Sequence, residues 1–411
     1  MPSDTPADSA YVWAWLPGAD APVIAGRIDR DGSFHTFTYA ASYLARPDAL
    51  SLYLPELPLV DQVIDPLAGD IAGCLRDAAP DGWGQRVIEN DHASNSDASY
   101  SLGILDFLLR ASPDRVGCLG FSSSRDVTPT AEYVPATLAD LMASADRVEA
   151  GEALDPEIDR ALILNSSPGG AYPKAFLRDD SRSLIAKFSS RSDSRPVLKG
   201  EFVAMDLARQ AGIEVAAVTF TGVLGRDVLL VERFDRPPSG GRRAFVSALT
   251  ILGLDEIGAR HATYWEFADI IRARFTDPDA TLRELFARIT FNILVSNTDD
   301  HARNHGAFWD GRQLTLTPAY DICPQPRIGG EQQQAMAIGS DGYRLSQLAG
   351  CLERAGTYHL DQRDAREIVD HQVDVIHANW NDACDAAEMT DVERSQFWKR
   401  EFLNPFVFEG Y

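Results

Sequence analysis

Paired cysteines, an excess of basic charge and long apolar runs are all missing from this chain of 411 residues. Its five cysteines, Cys74, Cys118, Cys323, Cys351 and Cys384, are odd in number, scattered and never spaced as Cys-x-x-Cys. That excludes a zinc ribbon or a regular disulfide framework and reads as buried thiols kept reduced. Lys and Arg total 38 against 61 Asp and Glu, a net charge of −23. Nucleic-acid affinity comes from clustered cations that displace counterions from phosphates, so direct nucleic-acid binding is not expected. No run of about eighteen apolar residues occurs, and MPSDTPADSA has neither the basic stretch nor the apolar core of an export leader. The expectation is a cytoplasmic protein with no membrane partner. Internal repeats, low-complexity tracts and the Walker A pattern GxxxxGK[ST] are absent as well.

What is present is a composition that can bury a large core, 45% hydrophobic and 9% aromatic. The length exceeds one ordinary core, so two or three lobes are expected. Residues 11–60 alternate apolar and polar positions (YVWAW, SFHTFTY) between the turn signals LPGAD and RDGS, the pattern of short antiparallel strands. Farther on, PDGWGQRVIE and SLGILDFLLRA read as helices and RVGCLGFS as a strand, closing a β-rich part over 1–125. Between 126 and 246 an Ala-rich helical connector precedes the order strand (KAFLRD), strand (SLIAKFSS), helix (EFVAMDLARQAG), strand, strand. From 247 to 411 helices dominate: YWEFADIIRARF, a run with Leu282, Leu285, Phe286, Ile289, Ile293 and Leu294 at helical spacing, then AREIVDHQVDVIHANW and VERSQFWKREFL.

Three constellations carry candidate chemistry. NSSPGGAYPK, Asn165 to Lys174, pairs glycines with hydroxyls and a lysine. Glycines let backbone N–H groups approach an anion and the lysine adds charge, although a surface turn has the same letters. Lys187 lies in the apolar strand pattern SLIAKFSS and Glu201 in the helix that follows. A buried lysine needs an anionic partner, and in protein kinases a strand Lys holds nucleotide phosphates and pairs with a helix Glu. A snorkelling Lys with a solvated Glu is the alternative. The third is SNTDDHARNH, 296 to 305, at the end of an apolar helical run. Asp299 and Asn304 have the Asp-x4-Asn spacing of a kinase catalytic loop, with Asp321 of PAYDI as a second metal carboxylate. Asp299, Asp300, His301 and His305 could instead bind a transition metal for phosphoester hydrolysis, or the stretch could simply cap a helix. Only the kinase reading accounts for the Gly-rich loop, Lys187, Glu201, LLVERFDR, Asp299 with Asn304, and Asp321 in that order.

In this order GGAYPKA, LIAKF, EFVAMDLARQAGIEV, LLVERFDR, NTDDHARNHGAF and LTPAYDI resemble the signature blocks of the HipA-like serine/threonine kinases, the toxin half of a toxin–antitoxin pair. SLYLPELP, APDGWGQ and DRVGCLGF resemble that family's first lobe. The resemblance implies an α/β, kinase-like two-domain fold: a mixed α/β N-terminal domain with small sheets, made of a β-rich subdomain (1–125) and an ATP-binding subdomain (126–246), and an all-helical catalytic domain (247–411). It implies ATP and Mg²⁺ as cofactors. Asp299 would be the catalytic base, and Asn304 and Asp321 the Mg²⁺ ligands. ATP would be held by Gly169, Gly170, Ala171, Lys174, Lys187 and His301, with Glu232 and Phe234 as the adenine hinge. Ser167 or Ser166 would be autophosphorylated. The implied partners are a HipB-like helix-turn-helix antitoxin, through which alone DNA would be reached, and a protein substrate of translation, an aminoacyl-tRNA synthetase being the example known in the family, whose modification arrests growth. A corepressor or regulatory nucleotide-binding module with little kinase activity is the second reading. Tyr172-Pro173 before Lys174, and Asp300 after Asp299, depart from the family pattern. Asp300 would place a further negative charge near the γ-phosphate.

Overall fold

The alternating stretches YVWAW and SFHTFTY become neighbouring strands of one antiparallel sheet. The computed structural model describes every residue except 1–4, 81, 96–99, 131–133, 156–158, 166–169, 171, 180–181 and 328–330. In this sheet β1 (Ser9–Ala14), β2 (Val23–Asp31), β3 (Phe34–Tyr39), β4 (Val63–Ile64) and β5 (Leu119–Ser122) lie in the order β4-β3-β2-β1-β5. The predicted RDGS turn joins β2 to β3 with Gly32 at φ 61°, a conformation glycine adopts without cost. Helices Gly82–Asn95 and Ile104–Arg110 fall between β4 and β5, where the sequence called for them.

The expected order strand, strand, helix, strand, strand appears as β6 (Lys174–Arg178), β7 (Ser183–Phe188), the helix Val197–Gln210, β8 (Val218–Val223) and β9 (Arg226–Glu232). These strands pair antiparallel in the order β6-β7-β9-β8, with Lys174 opposite Lys187. The Ala-rich stretch does more than connect. Its helix Leu138–Ala150 buries Leu141, Met142 and Val148 with Leu162, Trp83 and Val87 against Ala175, Ala186 and Phe188, covering one face of the four-stranded sheet.

The region after Ser247 is dominated by the helices Tyr264–Arg274, Pro278–Leu294 and Gln362–Ala386, but it is not purely helical. A small antiparallel sheet joins β10 (Phe245–Ser247) to β11 (Gly306–Trp309) and β12 (Leu314–Leu316). It forms because Gly306 lets the Phe245 ring lie where a Cβ would meet it at 2.3 Å. This sheet fixes the chain directly after SNTDDHARNH. The Pro278–Leu294 helix starts with Pro278 in its first turn and an Asp277 cap that accepts the Ala280 N–H, a favourable helix start. Its apolar stripe, including Leu282, Leu285, Phe286, Ile289 and Ile293, is buried in a core that continues to the Val197–Gln210 helix and the first sheet.

The pattern VERSQFWKREFL predicts one continuous helix, yet the helix spans only Asp391–Phe397. Lys399 takes φ 57° and Leu403 φ 53°, which turns the chain so that Phe402 packs on Trp380 at 4.8 Å between ring centroids. Tertiary burial of an aromatic ring overrides the local helical period here.

Candidate functional site

Lys187 stands on the inner strand β7 and is 9% exposed. Its ammonium donates to Glu201 Oε1 at 2.6 Å and also bonds Asp321. Glu201 projects from the Val197–Gln210 helix and is itself buried. A lysine and a carboxylate buried this deeply persist only as partners. The sequence noted Glu201 as a candidate partner, and the snorkelling alternative fails. Burial alone would raise the Asp321 pKa, but the charges of Lys187 and then Lys174 outweigh it and bring it down to about 2. Asp321 is therefore ionised at neutral pH.

The segment carrying Asp321 is pinned from both sides. Ala319 forms a parallel bridge with Val215, and Arg288 donates to the Thr317 carbonyl at 2.9 Å. Asp321 itself sits at φ 61°, the left-handed region that costs a non-glycine residue on the order of 1 kcal/mol and clusters at functional sites.

The decapeptide leaves the Pro278–Leu294 helix through Ser296, also left-handed at φ 53°. Asp299 points outward and is exposed. Protein around its carboxyl limits hydration and raises its pKa, with Asp321 and Asp300 pushing the same way and His301 opposing them. Asn304 donates from Nδ2 to the Asp299 carbonyl at 3.3 Å, which ties the two ends of the Asp-x4-Asn turn and commits the amide nitrogen, so the oxygen is the atom suited to a cation. His301 is half-buried, and among the described residues its Nδ1 has no hydrogen-bond partner. Asn297 Nδ2 reaches the Asp321 carbonyl at 3.4 Å, linking the loop to the second carboxylate.

Asp300, expected to place a further negative charge near the γ-phosphate, does not share the exposed face that Asp299 takes. It points into the core at 2% exposure. Its carboxylate accepts from Tyr264, from Asn292 Nδ2 at 2.7 Å and pairs with His305 Nε2 at 3.0 Å. Burial would raise its pKa, but His305 and Tyr264 hold it below the ordinary value. With Asp300 and His305 committed to each other, the transition-metal alternative loses half its ligands. Among the described residues no three His, Cys, Asp or Glu side chains gather as a metal cluster. Asp300→Ala strands three buried donors, and is expected to cost about 3–5 kcal/mol of stability, read as a lowered urea midpoint. Because the Asp300 pKa is depressed, its contribution is present above about pH 4 and lost as pH falls through the folded value.

Of the predicted loop residues, Ser166, Ser167, Gly169 and Ala171 lie outside the described residues. Gly170 is exposed at φ 68°, and a Cβ there would stand 2.9 Å from Lys174 Nζ. Trp83 holds both: its backbone N–H donates to the Gly170 carbonyl at 3.3 Å and its indole to the Lys174 carbonyl at 3.0 Å. Nothing in the local pattern of APDGWGQ pointed to this.

Glu232 ends β9 with its N–H on the Ala217 carbonyl at 2.8 Å. Phe234 follows, within an aromatic group of Phe245, Phe308 and Tyr320, the last at 5.5 Å and adjacent to Asp321. The segment 232–236 is locked by buried charges that the sequence did not reveal. Arg233 pairs with Asp235 and Asp114, and Arg236 reaches Asp114 at 2.7 Å. The Gly117 N–H completes the Asp235 carboxylate at 2.8 Å. Asp114 and Gly117, just before β5, thereby hold the segment that follows β9.

Glu201 and Asp321 thus meet at the Lys187 ammonium, and Asn297 ties the loop that carries Asp299 and Asn304 to the Asp321 segment. No helix among the described residues is long and apolar enough to cross a membrane. A family model described as the HipA-like C-terminal domain matches residues 166–380. The serine/threonine-protein kinase toxin HipA of Shewanella oneidensis is 28% identical over 161 residues, 34% of this chain and 37% of that one. The matches to curated relatives span about a third of their length, 37% and 33%. Among solved structures, the HipA chain of the Shewanella oneidensis HipA, HipB and operator DNA complex superposes with a TM-score of 0.70. It covers 97% of this chain and 98% of that one at 17% identity, so the fold is shared: mixed α/β with small antiparallel sheets and helices.

Proposed function

Because the chain belongs to the family of HipA-like C-terminal domains, we propose that it is a Mg²⁺·ATP-dependent serine/threonine protein kinase. The observation that carries this reading is the buried Lys187–Glu201 pair with Asp321 drawn to the same ammonium. Phosphoryl transfer needs little covalent work from a protein and much positioning of charge, and this arrangement supplies a fixed cation, oxygen ligands and an outward carboxylate.

Lys187 holds the α- and β-phosphates, kept in place by Glu201. Lys174, Gly169, Gly170, Ala171 and His301 contribute the remaining phosphate contacts, and Glu232 with Phe234 receives the adenine. Asn304 and Asp321 would hold Mg²⁺, a hard cation that prefers oxygen ligands and completes its shell with water and substrate phosphates. Bound there, the metal would neutralise charge on the transferring group. The two oxygen donors and the ionised state of Asp321 fit it. Asp299 accepts the proton of the substrate hydroxyl while that oxygen bonds the γ-phosphorus and the bond to ADP breaks. Raised above the ordinary carboxylate value, Asp299 is the better base for it.

Ser166 or Ser167 is the site of autophosphorylation, and a translation-related protein, an aminoacyl-tRNA synthetase being the first to test, is the substrate. The similar solved chain is bound to HipB and operator DNA, which supports a HipB-type helix-turn-helix antitoxin as partner. Incubation with Mg²⁺ and γ-labelled ATP should label the protein itself, with Ser166→Ala/Ser167→Ala losing the label, and should label proteins of a cell lysate. Absence of label on every protein would overturn the reading.

A further inference from the structure

Glu401 is the last charged residue before Phe402 turns into the core, and 206 residues separate it from its partner Arg195. The pair is largely buried, with side chains 18% and 5% exposed and Nη1 to Oε1 at 2.8 Å. Arg195 precedes Pro196, the cap of the helix that carries Glu201. Three further contacts dock residues 388–401 on this helix. Lys199 reaches Glu393 at 3.1 Å and the Glu388 carbonyl at 3.0 Å. Gly200 receives the Phe397 ring so closely that a Cβ would lie 2.7 Å from it.

The same residue touches the other half of the site. The Glu401 carbonyl accepts from Ser296 Oγ at 2.7 Å, and the Leu403 N–H donates to the Leu294 carbonyl at 2.8 Å. Ser296 opens the loop that bears Asp299 and Asn304, and its own carbonyl receives the Gln325 N–H at 3.0 Å, four residues beyond Asp321. One side chain and one carbonyl of Glu401 therefore meet the Glu201 helix, the Asp299 loop and, through Ser296, the Asp321 segment.

We infer that Glu401 is a positioning residue: its ion pair with Arg195 and its carbonyl bond to Ser296 clamp the Glu201 helix to the Asp299 loop, so that the ammonium of Lys187 and the base keep one geometry. This rests on the kinase reading for its catalytic consequence, but the clamp itself is a mechanical claim. A buried pair replaced on both sides by apolar residues of similar volume often keeps its stability, so Arg195→Met/Glu401→Leu separates coupling from folding. Coupling through such networks is worth enough to change rates about tenfold.

The double variant should keep the wild-type melting temperature, lose about tenfold in kcat with less than about twofold change in KM for ATP, and exchange amide hydrogens faster in both Val197–Gln210 and 296–304. Ser296→Ala, which cuts only the carbonyl link, should lower kcat in the same direction even if the double variant melts early. Restoring the pair in reversed order, Arg195→Glu/Glu401→Arg, should recover part of kcat. Wild-type kcat and exchange in the double variant, or loosening confined to 388–403, would overturn the clamp. If wild-type protein transfers no phosphate at all, the kinase reading fails alone, and the exchange pattern still decides the clamp.

Discussion

Asparagine in place of Asp299 is expected to slow phosphoryl transfer by roughly 10²–10⁴-fold with little change in melting temperature. The carboxylate is exposed and the loop is held by other atoms: the Asp299 carbonyl takes the Asn304 amide and Asp300 anchors the loop from within. The amide replacing it preserves shape and removes only the basic oxygen. ATP binding should therefore persist, since Lys187 and Asp321 are untouched. The wild-type rate should fall on the acid side at a pH above the ordinary carboxylate range, because the Asp299 pKa is raised and a general base must be deprotonated. Asp299→Asn should lack that limb. Single-turnover transfer from labelled ATP, measured across pH, checks both.

Methionine in place of Lys187 should have the opposite profile, a loss of both binding and stability. Glu201 is buried, and the ammonium is what compensates it. Removing one partner of a buried pair costs about 3–5 kcal/mol, and the phosphates lose their fixed cation at the same time. The deficit should shrink as pH is lowered toward the ordinary carboxylate range, because the stranded Glu201 then takes up a proton and its buried charge disappears. Lys187→Met/Glu201→Leu, which replaces both charges, should recover much of the urea midpoint without recovering ATP affinity. Equal stability of Lys187→Met and wild type at neutral pH would mean that the pair is not compensated in the way the geometry indicates.

The parts of the site legible in the sequence were those written in local spacing. Asp299 and Asn304 share one turn, Lys187 interrupts a strand pattern with a charge, and Glu201 follows on a helix with an apolar face. The succession strand, strand, helix, strand, strand around them followed from periodicity, and so did the Pro278–Leu294 helix. Partners set by tertiary approach left no local trace. Asp300 reads as one acid among several in SNTDDHARNH, and only the fold shows that Tyr264, Asn292 and His305 surround it. Arg233 and Asp235 look like a polar turn after β9, yet they close on Asp114 and Gly117 more than a hundred residues earlier. Glu401 sat in a stretch that helical spacing made continuous, while burial of Phe402 broke the helix and delivered the carboxylate to Arg195. Short-range spacing marks the candidate groups, and long-range packing chooses what holds them.

Protein phosphorylation is tested most directly by where the γ-phosphoryl group of ATP goes. Wild-type protein given Mg²⁺ and γ-labelled ATP should place the label on serine or threonine hydroxyls of protein, recovered as phosphoserine or phosphothreonine after acid hydrolysis, and Asp299→Asn should not. Label recovered only as free phosphate, at the same rate from wild type and Asp299→Asn, would contradict it.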